Sequence, residues 1–177
     1  FFPAKPLGCY GDGGAIFTND THLADIMKSI RVHGGGKNKY ENIRTGINGR
    51  LDTIQAVVAN HLLKKIKIIT SSRIKNSIYL EKKLKSHKAL NFKKRYKTLK
   101  EVFHLYEIRV NDSKIRDKLV KYLRLKGVDA KIHYPIPMHL QPAAKVYKLK
   151  KNMFPVSEEI AKTTISLPVH EFLSKKQ

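Results

Sequence analysis

Acidic residues are scarce in this chain: 14 Asp and Glu stand against 36 Lys and Arg, a formal charge of +22 over 177 residues. An excess of that size admits nucleic acid, anionic lipid or phosphorylated small molecules as partners. The basic residues are mostly lysines spread over helical faces, and no aromatic–basic signature of an RNA-binding sheet accompanies them. Nucleic acid is therefore not the expected partner. Clusters at Lys82-Lys83-Lys85, Lys93-Lys94-Arg95 and Lys148-Lys150-Lys151 read as solvated surface, with a residual preference for anionic ligands. Cysteine is nearly missing. The single Cys9 excludes an intrachain disulfide, fits a reducing compartment and reads as a small buried filler. No apolar run is long enough to span a membrane, and no basic stretch precedes an apolar run after Phe1. Neither a span nor a signal peptide is expected, and a cytoplasmic location is. Internal repeats and low-complexity tracts are absent too.

Two familiar motifs fail on inspection. His33-Gly34-Gly35-Gly36 has the form of an oxyanion loop, but no Gly-x-Ser-x-Gly elbow exists to use it. Gly36-Lys37 is followed by Asn38, so a phosphate-binding P-loop lacks its Ser or Thr for Mg²⁺. His133 and His139 have the spacing of a metal pair, but no conventional third ligand lies nearby and zinc wants three or four. No metal is expected.

What is present begins with Phe1-Phe2-Pro3-Ala4-Lys5-Pro6-Leu7-Gly8-Cys9-Tyr10, followed by Gly11, Gly13 and Gly14. The two prolines fix their own φ and push Ala4 and Lys5 towards extended geometry, which excludes helix. Ala15-Ile16-Phe17-Thr18 predicts a short buried strand, stopped at Asn19-Asp20. A lysine held on a rigid loop is what Schiff-base chemistry needs, with its amine tuned by burial or by cationic neighbours. In a chain this rich in lysine, position alone would favour a solvated side chain.

Asp20 or Thr21 caps a predicted helix whose Leu23, Ile26, Met27 and Ile30 form a core face, with Gly34 suited to a left-handed position after its end. Residues 37–50 form a polar loop. A long helix then follows to about Leu84, capped by Asp52 with Gln55 at the capping-box position. Its buried stripe is Ile54, Val57, Val58, Leu62, Ile66 and Ile69. Lys85–Lys100 turns basic and aperiodic, as a linker between lobes would. Val102–Val110 alternates like a strand. Asp112 or Ser113 caps a helix with Ile115, Leu119, Tyr122 and Leu123 inward and Gly127 closing it, and Val128–His133 predicts a further strand. The expected organisation is two parts, residues 1–84 and 85–177, the second a small β-α-β domain.

The opening string closely resembles the Schiff-base segment of the DegT-type sugar aminotransferases: Phe-(Phe/Tyr)-Pro-x-Lys-x-Leu-Gly, then Gly-Asp-Gly-Gly-Ala and a stretch ending Thr-Asn-Asp. Gly46-Ile47-Asn48-Gly49-Arg50-Leu51-Asp52-Thr53-Ile54-Gln55-Ala56 is similar to a second segment of those enzymes. His133-Tyr134-Pro135-Ile136-Pro137-Met138-His139-Leu140-Gln141-Pro142 resembles a third, and Ile165-Ser166-Leu167-Pro168-Val169-His170 resembles a late one. The likeness runs in order from Phe1 almost to Gln177.

That resemblance implies an α/β fold, the C-terminal part of a fold-type-I aminotransferase that uses pyridoxal phosphate (PLP). It would comprise the end of the large domain, a long linking helix and a small α/β domain. Lys5 would be the catalytic lysine and cofactor anchor. Asn48 and Arg50 would reach the cofactor phosphate across a homodimer interface in the full-length form, and the amide donor and guanidinium fork suit that group. Without the resemblance, Asn48-Gly49 would read as a turn. His133, Tyr134 and His139 would bind a nucleotide-sugar, and Tyr134 would offer a hydroxyl from a Pro-braced loop. The implied reaction moves an amino group from L-glutamate to a keto group on that sugar. The likeness is strongest to enzymes aminating C3 of a UDP-2-acetamido-3-keto-hexuronate for bacterial surface polysaccharide, including lipopolysaccharide. Related dehydratases carry His at the lysine position, so Lys5 points away from them. Family members also have a long N-terminal half with an Asp for the pyridine nitrogen. The sequence is thus expected to be part of a longer gene product, with little PLP binding alone. A non-catalytic remnant or regulatory protein of the same family is the alternative.

Overall fold

The computed structural model describes residues 1–174, 176 and 177. The chain packs as two compact units, Phe1–Lys67 and Ile68–Gln177.

In the first unit, α1 (Thr21–Arg31) starts where the sequence predicts. The Asp20 carboxylate accepts from the Leu23 amide at 3.0 Å, so an otherwise unsatisfied amide of the first turn is paired. The end is also as expected: Gly34 is left-handed at φ 77°, and its amide returns to Ser29 O at 2.8 Å. A Cβ there would sit 1.7 Å from the Arg44 carbonyl oxygen, so both conformation and space require glycine. The polar loop is then laced to the end of α1. His33 donates to Ile47 O, Ile47 to Ile30 O and Gly49 to Arg31 O, while Val32 and Asn48 form an isolated bridge.

Two expectations for this unit are corrected. No strand forms at Ala15–Thr18, and Ile16 and Phe17 are exposed. A strand needs a neighbour to pair its backbone groups, and these residues have none within the unit. The apolar face of α1 is likewise not a core, since none of its residues is buried.

The helix α2 (Thr53–Leu84) runs through both units. Its length matches the expectation, but its buried residues are Ile69, Thr70, Arg73 and Ser77, while Ile54 and Val57 are exposed. Gln55 does not serve a capping box; its side-chain oxygen accepts from the Tyr10 amide at 2.8 Å.

In the second unit, β1 (Leu90–Phe92), β2 (Tyr106–Val110) and β3 (Thr164–Leu167) form an antiparallel sheet with β2 central. Leu90 pairs with Val110, Phe92 with Ile108 and Ile108 with Ile165. On β2, Tyr106, Ile108 and Val110 point into the core and Glu107 faces out, which is the alternation the sequence carries. Helix α3 (Ser113–Leu125) is capped by Asp112, whose carboxylate accepts from Lys114 and Ile115 amides, and Gly127 follows at φ 81°. Arg116 and Val120 are buried and Leu119 and Leu123 pack against the core as expected, whereas Ile115 and Tyr122 are exposed. Helix α4 (Pro155–Thr163) leads directly into β3. Buried Phe103, Tyr106, Ile108, Val110, Val120, Ala130, Ile165 and Val169 make the core, with Ile74, Leu80 and Leu84 of α2 against it.

The expected β-α-β plan is also revised. The basic stretch read as linker contains β1, and the third strand is β3, after α4. Val128–His133 forms only a bridge between Lys131 and Ser166. Arg124 Nε takes the Ala130 carbonyl at 2.8 Å, which removes an acceptor from any ladder. The start of Val102–Val110 fails for the same reason. The buried Arg73 guanidinium occupies the carbonyls of Phe103 and His104, each at 3.0 Å, so the strand begins only at Tyr106.

Candidate active site

Lys5 lies on a β-turn. Its amide donates to Phe2 O at 2.9 Å, with Pro3 and Ala4 at the corner, and proline's fixed φ suits the first corner position. Gly8 then passes so close to Pro3 that a Cβ would lie 2.6 Å from its carbonyl oxygen. Two contacts hold the loop on the first turn of α2: Cys9 Sγ reaches Gln55 O at 3.3 Å, and the Tyr10 amide reaches the Gln55 side chain. Cys9 is buried at 2% exposure, the filler expected of it. The lysine itself is exposed, so residues 1–67 brace its backbone but do not supply the burial that amine chemistry calls for.

Asn48 and Arg50 occupy the segment between the loop laced to α1 and the first turn of α2. Both side chains are exposed. The Lys5 loop and this segment thus converge on the N-terminus of α2. Taken one by one, an amine, an amide and a guanidinium are donor types that suit an aldehyde-bearing phosphate ester such as PLP.

The other predicted residues lie in the second unit. His133 Nδ1 pairs with Ser166 Oγ at 2.9 Å, and its ring meets Tyr134 edge-on at 5.4 Å. Tyr134 is exposed. His139 is enclosed: Nε2 is 3.1 Å from Glu158 Oε1 and the ring lies 4.8 Å from Phe154. The two histidines therefore serve different partners. Tyr134 and His139 both line an open, largely apolar groove of ≈ 730 Å³, together with Met138, Tyr147, Phe154 and Ile160.

Glu158 was not singled out from sequence, yet it is the buried acid of this region. Burial by itself would raise its carboxyl; the bonds from His139 and from the Asn152 amide at 2.6 Å outweigh that and hold it below the usual carboxylate value. Its placement in the first turn of a helix opened by Pro155 was the available signal. Ser166 had one too, lying within the Ile-Ser-Leu-Pro-Val-His string of the late family segment.

An α/β chain with a braced lysine loop, a long helix and a small antiparallel-sheet domain has the architecture of the C-terminal part of a sugar aminotransferase. Residues 1–177 match the DegT/DnrJ/EryC1/StrS aminotransferase family, and the chain belongs to it. It is 38% identical to the UDP-2-acetamido-2-deoxy-3-oxo-D-glucuronate aminotransferase of Pseudomonas aeruginosa, over 98% of this chain and 46% of that protein. It is 36% identical to a pleiotropic regulatory protein of Geobacillus stearothermophilus, over all of this chain and 47% of the relative. Among solved structures, a family aminotransferase from Brucella abortus superposes with TM-score 0.90 at 39% identity, covering 99% of this chain and 46% of that one. The chain spans about half the length of the curated relatives it matches.

Proposed function

We propose that this chain supplies the lysine, part of the phosphate site and part of the sugar site of a PLP-dependent aminotransferase acting on a nucleotide-linked keto sugar. The observation that carries the reading is the Lys5 turn, fixed by Pro3, Gly8 and the Gln55 contacts in a chain of an aminotransferase family. When bound, PLP supplies the electron sink for breaking and making bonds at the amino-bearing carbon. Lys5 would hold the cofactor and, when released from it, move a proton at the reacting carbon through its Nζ. Asn48 Nδ2 and the Arg50 guanidinium would bind the phosphate, in a homodimer of the longer protein. Tyr134 would donate its hydroxyl to the sugar or diphosphate. His133, with Nδ1 committed to Ser166, keeps Nε2 for the same ligand, while His139 on Glu158 shapes the groove wall.

L-Glutamate as amino donor, a UDP-linked substrate and a cytoplasmic place in making bacterial surface polysaccharide such as lipopolysaccharide complete the proposal. The division into residues 1–84 and 85–177 would then separate cofactor from sugar functions. The match to a regulatory protein favours a second reading, a non-catalytic family member. Borohydride reduction of the full-length gene product with PLP, followed by peptide mass spectrometry, tests the first. A pyridoxyl group on Lys5, lost in Lys5→Ala, is the expected result; labelling scattered over other lysines with Lys5 spared overturns it.

A further inference from the structure

We propose that the turn Tyr96–Leu99 and the lysines around it form a docking surface for an anionic lipid bilayer. Residues 81–101 carry eight Lys and Arg95 against Glu81 and Glu101, so nine positive charges less two leave +7 of the chain's +22. Both glutamates are already engaged. Arg95 Nη2 lies 2.7 Å from Glu81, Arg95 also pairs with Glu101, and Lys93 is 3.5 Å from Glu101. The Arg95 guanidinium rests 4.6 Å from the ring of buried Phe103, which fixes the root of the loop on the core. Lys94, Lys97 and Lys100 remain exposed and, among the described residues, have no carboxylate within ion-pair distance.

The tip has a defined shape. The Leu99 amide donates to Tyr96 O at 3.0 Å, closing a turn with Lys97-Thr98 at the corner. Tyr96 and Leu99 therefore flank the turn, exposed by 55% and 71%, with Lys94 Nζ 5.3 Å from the Tyr96 ring centre. A nucleic-acid strand could stack on Tyr96 but would not use Leu99. An anionic bilayer uses all of them. The lysines meet headgroup charge, the tyrosine suits the interfacial layer and the leucine inserts. The inference rests on residues 81–101 and does not depend on the cofactor reading.

Flotation of the purified protein with vesicles of phosphatidylglycerol and phosphatidylcholine, against phosphatidylcholine alone, is the test. Binding only to the anionic vesicles, weakened by salt, is expected. K94Q/K97Q/K100Q should lower partitioning on the order of a hundredfold, and Y96S/L99S about tenfold. K114Q/K118Q/K121Q, which removes equal charge from exposed positions of α3, should leave it unchanged. The proposal is overturned if anionic vesicles are not bound, or if the α3 variant loses as much. It is equally overturned if duplex DNA is bound as tightly as the vesicles and Y96S/L99S alters neither.

Discussion

Replacing Arg73 by methionine should destabilise the second unit by about 3 kcal/mol. Arg73 is 5% exposed, and its guanidinium makes three bonds: to Phe103 O and His104 O at 3.0 Å and to Glu171 at 2.9 Å. These tie α2 to the approach to the central strand and to the C-terminal segment, where Asn76 Nδ2 also holds His170 O at 2.9 Å. Methionine keeps most of the apolar stem but provides no donor. Two carbonyls facing the buried guanidinium lose a charged partner, each costing roughly 1–1.5 kcal/mol. The Glu171 side chain is 24% exposed and can rehydrate, so its share is discounted to below about 1 kcal/mol. Arg73→Lys restores the charge but not the planar fork, and should recover less than half of the loss. Glu171→Gln should cost less than about 1 kcal/mol, since both carbonyl bonds survive. Urea unfolding followed by circular dichroism reads these differences as shifts in midpoint at constant slope. A wild-type midpoint for Arg73→Met would refute the reasoning, because it would mean that the carbonyls find other donors at no cost.

Gly34→Ala should lower stability by more than about 2 kcal/mol, since φ 77° and the Arg44 carbonyl both oppose a Cβ; thermal unfolding measures it, and an unchanged midpoint would contradict the described turn. Tyr106 is fully buried and, among the described residues, its hydroxyl has no partner; burial first, with Glu81 next, pushes its pKa up from 10.0 to about 12. The folded state thus keeps a proton that the unfolded state gives up, so stability present below pH 10 should decline towards pH 12. Tyr106→Phe should show a shallower decline over that window and little change near neutrality, because no bond is lost; parallel curves for the two proteins would count against it. For Glu158 the sign is opposite. Its lowered pKa contributes stability above the ordinary value of 4.5, lost as pH falls through the folded value. Melting temperature against pH should therefore fall less steeply on the acid side in Glu158→Gln than in the wild type.

Local chemistry was sufficient for much of this chain. Asp20 and Asp112 start their helices because a short carboxylate satisfies first-turn amides whatever lies elsewhere, and Gly34 and Gly127 follow helix ends because only glycine takes positive φ without strain. The motif strings around Lys5, Asn48 and His133 were equally legible, since each depends on residue types at fixed spacing within a few residues. Strands were not. Ala15–Thr18 and Val128–His133 have strand composition, yet a strand exists only where a second segment offers its backbone. Arg73 and Arg124 instead claim carbonyls that a ladder would need, from 30 and 6 residues away. The pairing of His139 with Glu158, 19 positions apart, was hidden for the same reason. Sequence determined where backbone groups are capped by their neighbours; tertiary structure decided which distant side chain or strand satisfies the rest.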